Sequence, residues 1–139
     1  MKDGFIKAAA AVPVIKVADP VCNAERIIAL YKEAVENGAK IIVFPELCIT
    51  GYTCHDLFLQ DELLRGAAAA LEQIARATEG DDALAFVGFP LEWEGKLYNT
   101  AAVLQGGRIL AFIPKRFLPN YAEFYELRQF TPGPSVVEM

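Results

Sequence analysis

The sequence predicts an α/β domain, a mixed β-sheet flanked by helices, with residues 1–139 forming one unit. Two short apolar runs, residues 40–44 and 83–89, each follow a stretch with apolar side chains at helical spacing, the alternation of parallel βαβ units. After residue 96 the pattern changes. Two further apolar stretches, 97–104 and 109–113, are joined by Gln105-Gly106-Gly107-Arg108 and read as an antiparallel hairpin. With 54% hydrophobic residues the chain can bury a sizeable core.

Residues 5–14 are apolar apart from Lys7, and the proline and aspartate that follow favour a buried strand over a helix. Asn23 can cap the next helix, in which Ile27, Ile28, Tyr31, Ala34 and Val35 share a face while Arg26, Lys32, Glu33 and Glu36 turn outward. Gly38 supplies its stop. The strand at 40–44 is ended by Pro45, which removes a ladder donor. An irregular stretch at 53–60 leads to a second amphipathic helix, with Leu57, Leu64, Ala68, Leu71 and Ile74 on its face and an end near Gly80. Residues 83–89 read as a strand buried on both faces, and Glu94-Gly95 marks a turn. From Pro114 onward polar, charged and aromatic residues interleave, and residues 134–139 begin something strand-like without a closing signal.

Composition excludes several function classes. A net charge of −5 with no clustered Lys/Arg stripe argues against nucleic-acid binding and for small-molecule or protein partners. Cys22, Cys48 and Cys54 are an odd count without repeated spacing, which favours free thiols in a reducing compartment, by default the cytoplasm. Asp3, Lys7, Pro13 and Lys16 interrupt the N-terminal apolar stretch before it can serve as a signal peptide. No apolar run reaches the roughly 20 residues of a membrane-spanning helix, so no membrane partner is expected.

Two charged residues stand where chemistry is commonly placed. Glu46 follows a buried strand and Pro45, and Lys115 follows a strand and Pro114. Side chains at the ends of neighbouring strands can meet across a crevice, each favouring the other's charged form. A turn cap at Glu46 and a structural ion pair explain the same pattern, so a third group is needed to decide. Cys48, beside Ile49, and Cys54 read as buried structural thiols. The adjacent side chains of Cys54-His55-Asp56 diverge and make no triad, and Cys48, Cys54 and His55 lack both the spacing and the fourth ligand of a zinc site, so no metal is expected. Phe117, Tyr121, Phe124, Tyr125 and Phe130 form either satellite core or a ligand wall, with Tyr121 best placed to present a hydroxyl. No Walker loop or Rossmann fingerprint occurs, and no cofactor is expected in this segment.

These residues resemble the nitrilase, or carbon–nitrogen hydrolase, superfamily, whose members use a Glu, a Lys and a Cys. Phe44-Pro45-Glu46-Leu47 is similar to the family's glutamate motif, and Pro114-Lys115 with Glu126-Leu-Arg-Gln-Phe130-Thr-Pro-Gly133 is similar to its lysine region. Gly51-Tyr-Thr-Cys-His-Asp-Leu-Phe58, Leu97-Tyr-Asn-Thr100 and the stretch from Pro114 to Glu126 resemble most the glutaminase branch found in glutamine-dependent NAD synthetases. The resemblance implies an αββα sandwich, Glu46 as general base, Lys115 as oxyanion cation and Glu126 as auxiliary glutamate. It further implies Tyr121, and less strongly Tyr52, as substrate-binding residues. Glutamine is the implied substrate. Deamido-NAD, ATP and magnesium belong to a synthetase domain that these residues do not include, and the whole protein is expected to be a homo-oligomer.

The family's nucleophilic cysteine lies beyond the lysine region, whereas no cysteine follows Cys54 here. The chain is therefore expected to be an N-terminal portion of the sandwich, with no nucleophile of its own and no glutaminase activity in isolation. Another nitrilase-type amidase acting on a small amide, and a non-catalytic scaffold or interaction module, stay open as alternatives.

Overall fold

A computed structural model describes residues 3–134. Its sheet has five strands: β1 (Ala8–Ala10), β2 (Ile41–Val43), β3 (Leu84–Trp93), β4 (Lys96–Gln105) and β5 (Arg108–Pro114). They lie side by side in chain order. The first three are parallel, and β4 and β5 return antiparallel, so the sheet is mixed as expected. Helix α1 (Pro20–Glu36) connects β1 to β2, and α2 (Asp61–Ala77) lies between β2 and β3.

Both helices pack on one face of the sheet. Ile27 and Tyr31 of α1 and Ala67, Leu71 and Ile74 of α2 meet Ile42, Ala85, Val87, Ala102 and Leu104 in the main core. Burial on this scale drives the association of the layers, at about 1.5–3 kcal/mol for each large side chain. The strand residues between them, among them Val43, Phe86, Ala101 and Ile113, point to the opposite face and line an open groove there. A second, smaller core gathers Leu47, Cys54, Phe58, Leu63, Leu97 and Phe130.

Several elements depart from the sequence reading, each for an identifiable reason. The strand expected at 5–14 is confined to Ala8–Ala10, and Phe5 is 80% exposed, because β1 is an edge strand with a partner on one side only. Helix α1 starts four residues early: Pro20 takes its first position, and the Asp19 side chain accepts from the Cys22 amide at 3.1 Å. Asn23 is instead fully buried inside α1. Its side chain accepts from Lys16 N at 2.8 Å and donates to the carbonyls of Lys16 (2.8 Å) and Ile49 (2.9 Å). Helix α2 buries Leu63, Ala67 and Ala70 where Leu57, Leu64 and Ala68 were expected, since four consecutive alanines at 67–70 carry no phase. Before it, residues 52–59 form 3₁₀ turns broken at His55. Strand β3 continues through Pro90 to the turn at Glu94-Gly95, as an antiparallel partner of β4. The strand-like reading of 134–139 lies almost wholly outside the described residues.

Candidate active site

Glu46 sits just past the end of β2, in a turn that lies directly against β3. A Cβ at Gly88 would meet the backbone of Pro45, Glu46 and Leu47, so only glycine lets the turn rest there. Leu47 adopts a left-handed φ of 51°. Its fully buried side chain enters the second core, which holds the turn down and balances the backbone strain. Glu46 thereby projects over the strands next to its own, at one end of the open groove.

Lys115 follows β5. Its amide donates to the Asn99 carbonyl at 2.7 Å, and its own carbonyl accepts from Gly133 N at 2.8 Å, so the backbone is pinned on both sides. The ammonium Nζ lies 2.6 Å from Glu46 Oε1 and 3.0 Å from Glu126 Oε1. The two charges were expected on neighbouring strands. In fact β3 and β4 separate β2 from β5, and the pair meets because the 45–47 turn crosses above Gly88 while Lys115 reaches back past β4.

The third group is Glu126, at the start of a short 3₁₀ turn (Glu126–Arg128), with a side chain only 4% exposed. Tyr52 donates its phenol to Glu126 Oε1 at 2.9 Å. Burial, and then the Glu126 carboxylate, push the Tyr52 phenol above its ordinary value. Burial alone pulls the Lys115 ammonium down, but the hydrogen bonds and charges of Glu46 and Glu126 outweigh it and hold Lys115 above the ordinary lysine range. The cluster is thus two carboxylates about one ammonium, and uptake of a proton by Glu46 leaves it neutral.

Of the residues singled out in the sequence, Glu46, Lys115, Glu126 and Tyr52 come together. Tyr121 stays apart: it is 68% exposed and packs edge-on against Phe124 at 5.8 Å, and Phe124 in turn lies 6.4 Å from the Tyr52 ring. Cys48 and Cys54 are buried, and their thiols donate to the carbonyls of Gly88 (3.9 Å) and Thr50 (3.2 Å). Burial raises the Cys48 thiol to about 12, and Cys54 also moves up, so neither is an activated nucleophile. Asp56 forms a two-pronged pair with Arg128 at 2.7 and 2.8 Å, outside any triad with His55. Among the described residues no group of three or more His, Cys, Asp or Glu is arranged to hold a metal.

Asn99 was missed as a site residue. It lies on β4, is 2% exposed, and donates from Nδ2 to Glu46 Oε1 at 2.5 Å, with a longer 3.5 Å contact to Glu126 Oε2. In the sequence it stands beside Thr100 between apolar stretches, with no period-two pattern to single it out. Only the Leu97-Tyr-Asn-Thr100 likeness drew attention to it.

An α/β domain holding a carboxylate, an ammonium and a second carboxylate at one end of its sheet has the parts of an acid–base site with a fixed cation. The carbon-nitrogen hydrolase family pattern matches residues 7–136, and the chain belongs to that family. It is 40% identical over 132 residues to a glutamine-dependent NAD(+) synthetase of Mycobacterium tuberculosis, covering 94% of this chain and 19% of the relative. A relative of the same name from Xylella fastidiosa is 45% identical over 114 residues, covering 81% of this chain and 21% of the relative. The fold superposes on a crystal structure of a glutamine-dependent NAD(+) synthetase from Cytophaga hutchinsonii with a TM-score of 0.88 and 33% identity, over 94% of this chain and 22% of that one. The sheet and its helices are accordingly of the nitrilase type. The chain spans about a fifth of the length of these relatives.

Proposed function

We propose that this chain supplies the base and the oxyanion cation of a glutaminase, which in the whole protein releases ammonia for ATP-dependent amidation of deamido-NAD to NAD. The observation that carries the reading is the Lys115 ammonium held between Glu46 and Glu126 at 2.6 and 3.0 Å. The names of the relatives supply the substrate class.

In this mechanism a thiol from outside these 139 residues gives its proton to Glu46 and attacks the side-chain amide carbon of glutamine. Lys115 faces the oxygen on which negative charge develops, and Glu126 keeps it ionised throughout. Collapse of the tetrahedral intermediate expels the amine, which takes the proton from Glu46 and leaves as ammonia. Water then adds to the glutamyl thioester, again losing a proton to Glu46; the C–S bond breaks, the departing thiolate recovers that proton, and glutamate leaves. ATP and magnesium act at a separate amidating site. Tyr121 contacts the glutamine once the whole pocket is assembled, and the whole protein works in the cytoplasm as a homo-oligomer.

The test compares two nitrogen sources in the whole protein. Glu46→Gln is expected to lower glutamine-driven NAD formation by roughly 10²–10⁴-fold while leaving ammonia-driven formation intact. Equal glutamine-driven rates in the two proteins would overturn the proposal. Purified residues 1–139 are expected to release no ammonia from glutamine.

A further inference from the structure

We infer that Asn99 is the positioning residue of this site, fixing which oxygen of Glu46 receives the proton by bridging its two carboxylates. The inference rests on the reading of Glu46 as the base. Asn99 touches both carboxylates of the cluster and the backbone of the residue that carries its cation. Its side chain donates to Glu46 Oε1 and reaches Glu126 Oε2, and its backbone carbonyl accepts from the Lys115 amide.

Glu46 Oε1 receives both Asn99 Nδ2, at 2.5 Å, and Lys115 Nζ, at 2.6 Å. Among the described residues no side-chain donor reaches Glu46 Oε2. An oxygen already bonded to a cation and an amide is a poor proton acceptor, because its lone pairs are engaged by donors that favour the charged form. Oε2 is then the basic oxygen, left without a side-chain donor on a residue that lines the open groove. A carboxylate free to rotate would present either oxygen. The two donors remove that freedom, and near-attack geometry depends on such restriction.

Charge supplies a second argument. Glu46 and Glu126 share one ammonium, so one negative charge of the cluster is not matched by a cation. The Asn99 amide is placed between them with its NH₂ toward both, which lessens their repulsion without adding charge. An aspartate of the same shape at this position would add a third negative charge.

The experiment uses residues 1–139 and needs no turnover. NMR titration of the Lys115 ammonium is compared in the unmodified chain, Asn99→Leu and Asn99→Asp. Removal of the donor in Asn99→Leu frees Glu46 to turn away and is expected to lower the Lys115 titration midpoint, since the hydrogen bond and charge of Glu46 help hold it above the ordinary lysine range. Asn99→Asp, which puts a third negative charge beside the ammonium, is expected to raise it. Slow exchange of the Lys115 amide reports that the bond to the residue 99 carbonyl survives, so a variant that has lost its fold is recognised and the other decides. A folded variant with an unmoved midpoint overturns the inference. Because the readout is a titration in the isolated chain, its failure is separate from any failure of glutamine-driven activity in the whole protein. There, Asn99→Leu is expected to lower glutamine-driven kcat about tenfold with KM nearly unchanged. An equal loss of ammonia-driven rate would mark a merely structural role and overturn the inference.

Discussion

At the scale of single residues, three groups tie stability to alkaline pH. Burial and then Asp81 push the Tyr31 phenol above its ordinary value of 10.0, Tyr52 is raised beside Glu126, and Lys115 is held above its usual 10.5. A group whose value is higher in the folded than in the unfolded chain stabilises fully below the unfolded value and loses that contribution as pH rises through the folded one. Urea midpoints are therefore expected to fall above about pH 10. In Tyr31→Phe the fall should be shallower, because the variant has no phenol to ionise there. The same slope in both chains would show that the phenol is not coupled to folding. Asn23 offers a second prediction at this scale. Its side chain satisfies backbone groups of Lys16 and Ile49 inside the protein, and Asn23→Leu leaves them unpaired. Roughly 1–3 kcal/mol of stability should be lost by urea denaturation, far beyond the few tenths that a helix-propensity change would give.

At the scale of elements, the turn that carries Glu46 depends on β3 beneath it. Gly88→Ala places a methyl group where Pro45 O, at 2.5 Å from the new carbon, and the backbone of Glu46 and Leu47 now lie. The turn must lift, and the loss is expected to be about 1–3 kcal/mol, as for other overpacked interiors. Lifting also separates Glu46 from Lys115, so the variant should lose the raised Lys115 titration even where it stays folded. A Lys115 ammonium titrating as in the unmodified chain would show that the turn tolerates the methyl. Glu46 and Lys115 were legible in the sequence because each follows a strand and a proline, a pattern that announces a charged side chain at a rigid strand end. Gly88 was not, since one glycine in an apolar run looks like any other small residue. Asn23 and Asp19 are both residue types that favour caps and stand four apart, but only Asp19 caps α1, while Asn23 is buried within it. Strand identities and the parallel-to-antiparallel change followed from periodicity and turn residues. The extent of β1 did not, because apolar content cannot tell an edge strand from a central one.

At the scale of the whole molecule, helices cover one face of the sheet, while the other face presents Val43 and Ile113, 47% and 52% exposed, beside Phe86 and Ala101. Contiguous apolar surface of this kind promotes association. Residues 1–139 are expected to show concentration-dependent size by light scattering, and Val43→Lys with Ile113→Lys to reduce it without lowering the unfolding midpoint. Size that is independent of concentration in both chains would contradict this. The separation of β2 from β5 by two intervening strands has a further consequence, for assembly. Glu46 and Lys115 are 69 residues apart, and nothing local brings them together. Loop closure over that distance becomes favourable only as β3 and β4 fill the gap. During synthesis Glu46 emerges first and waits without its cation, and a chain arrested at any point before β5 docks holds a carboxylate but no reactive pair. The Glu46–Lys115 pair is therefore a mark of sheet assembly: it can form only once β5 is in place.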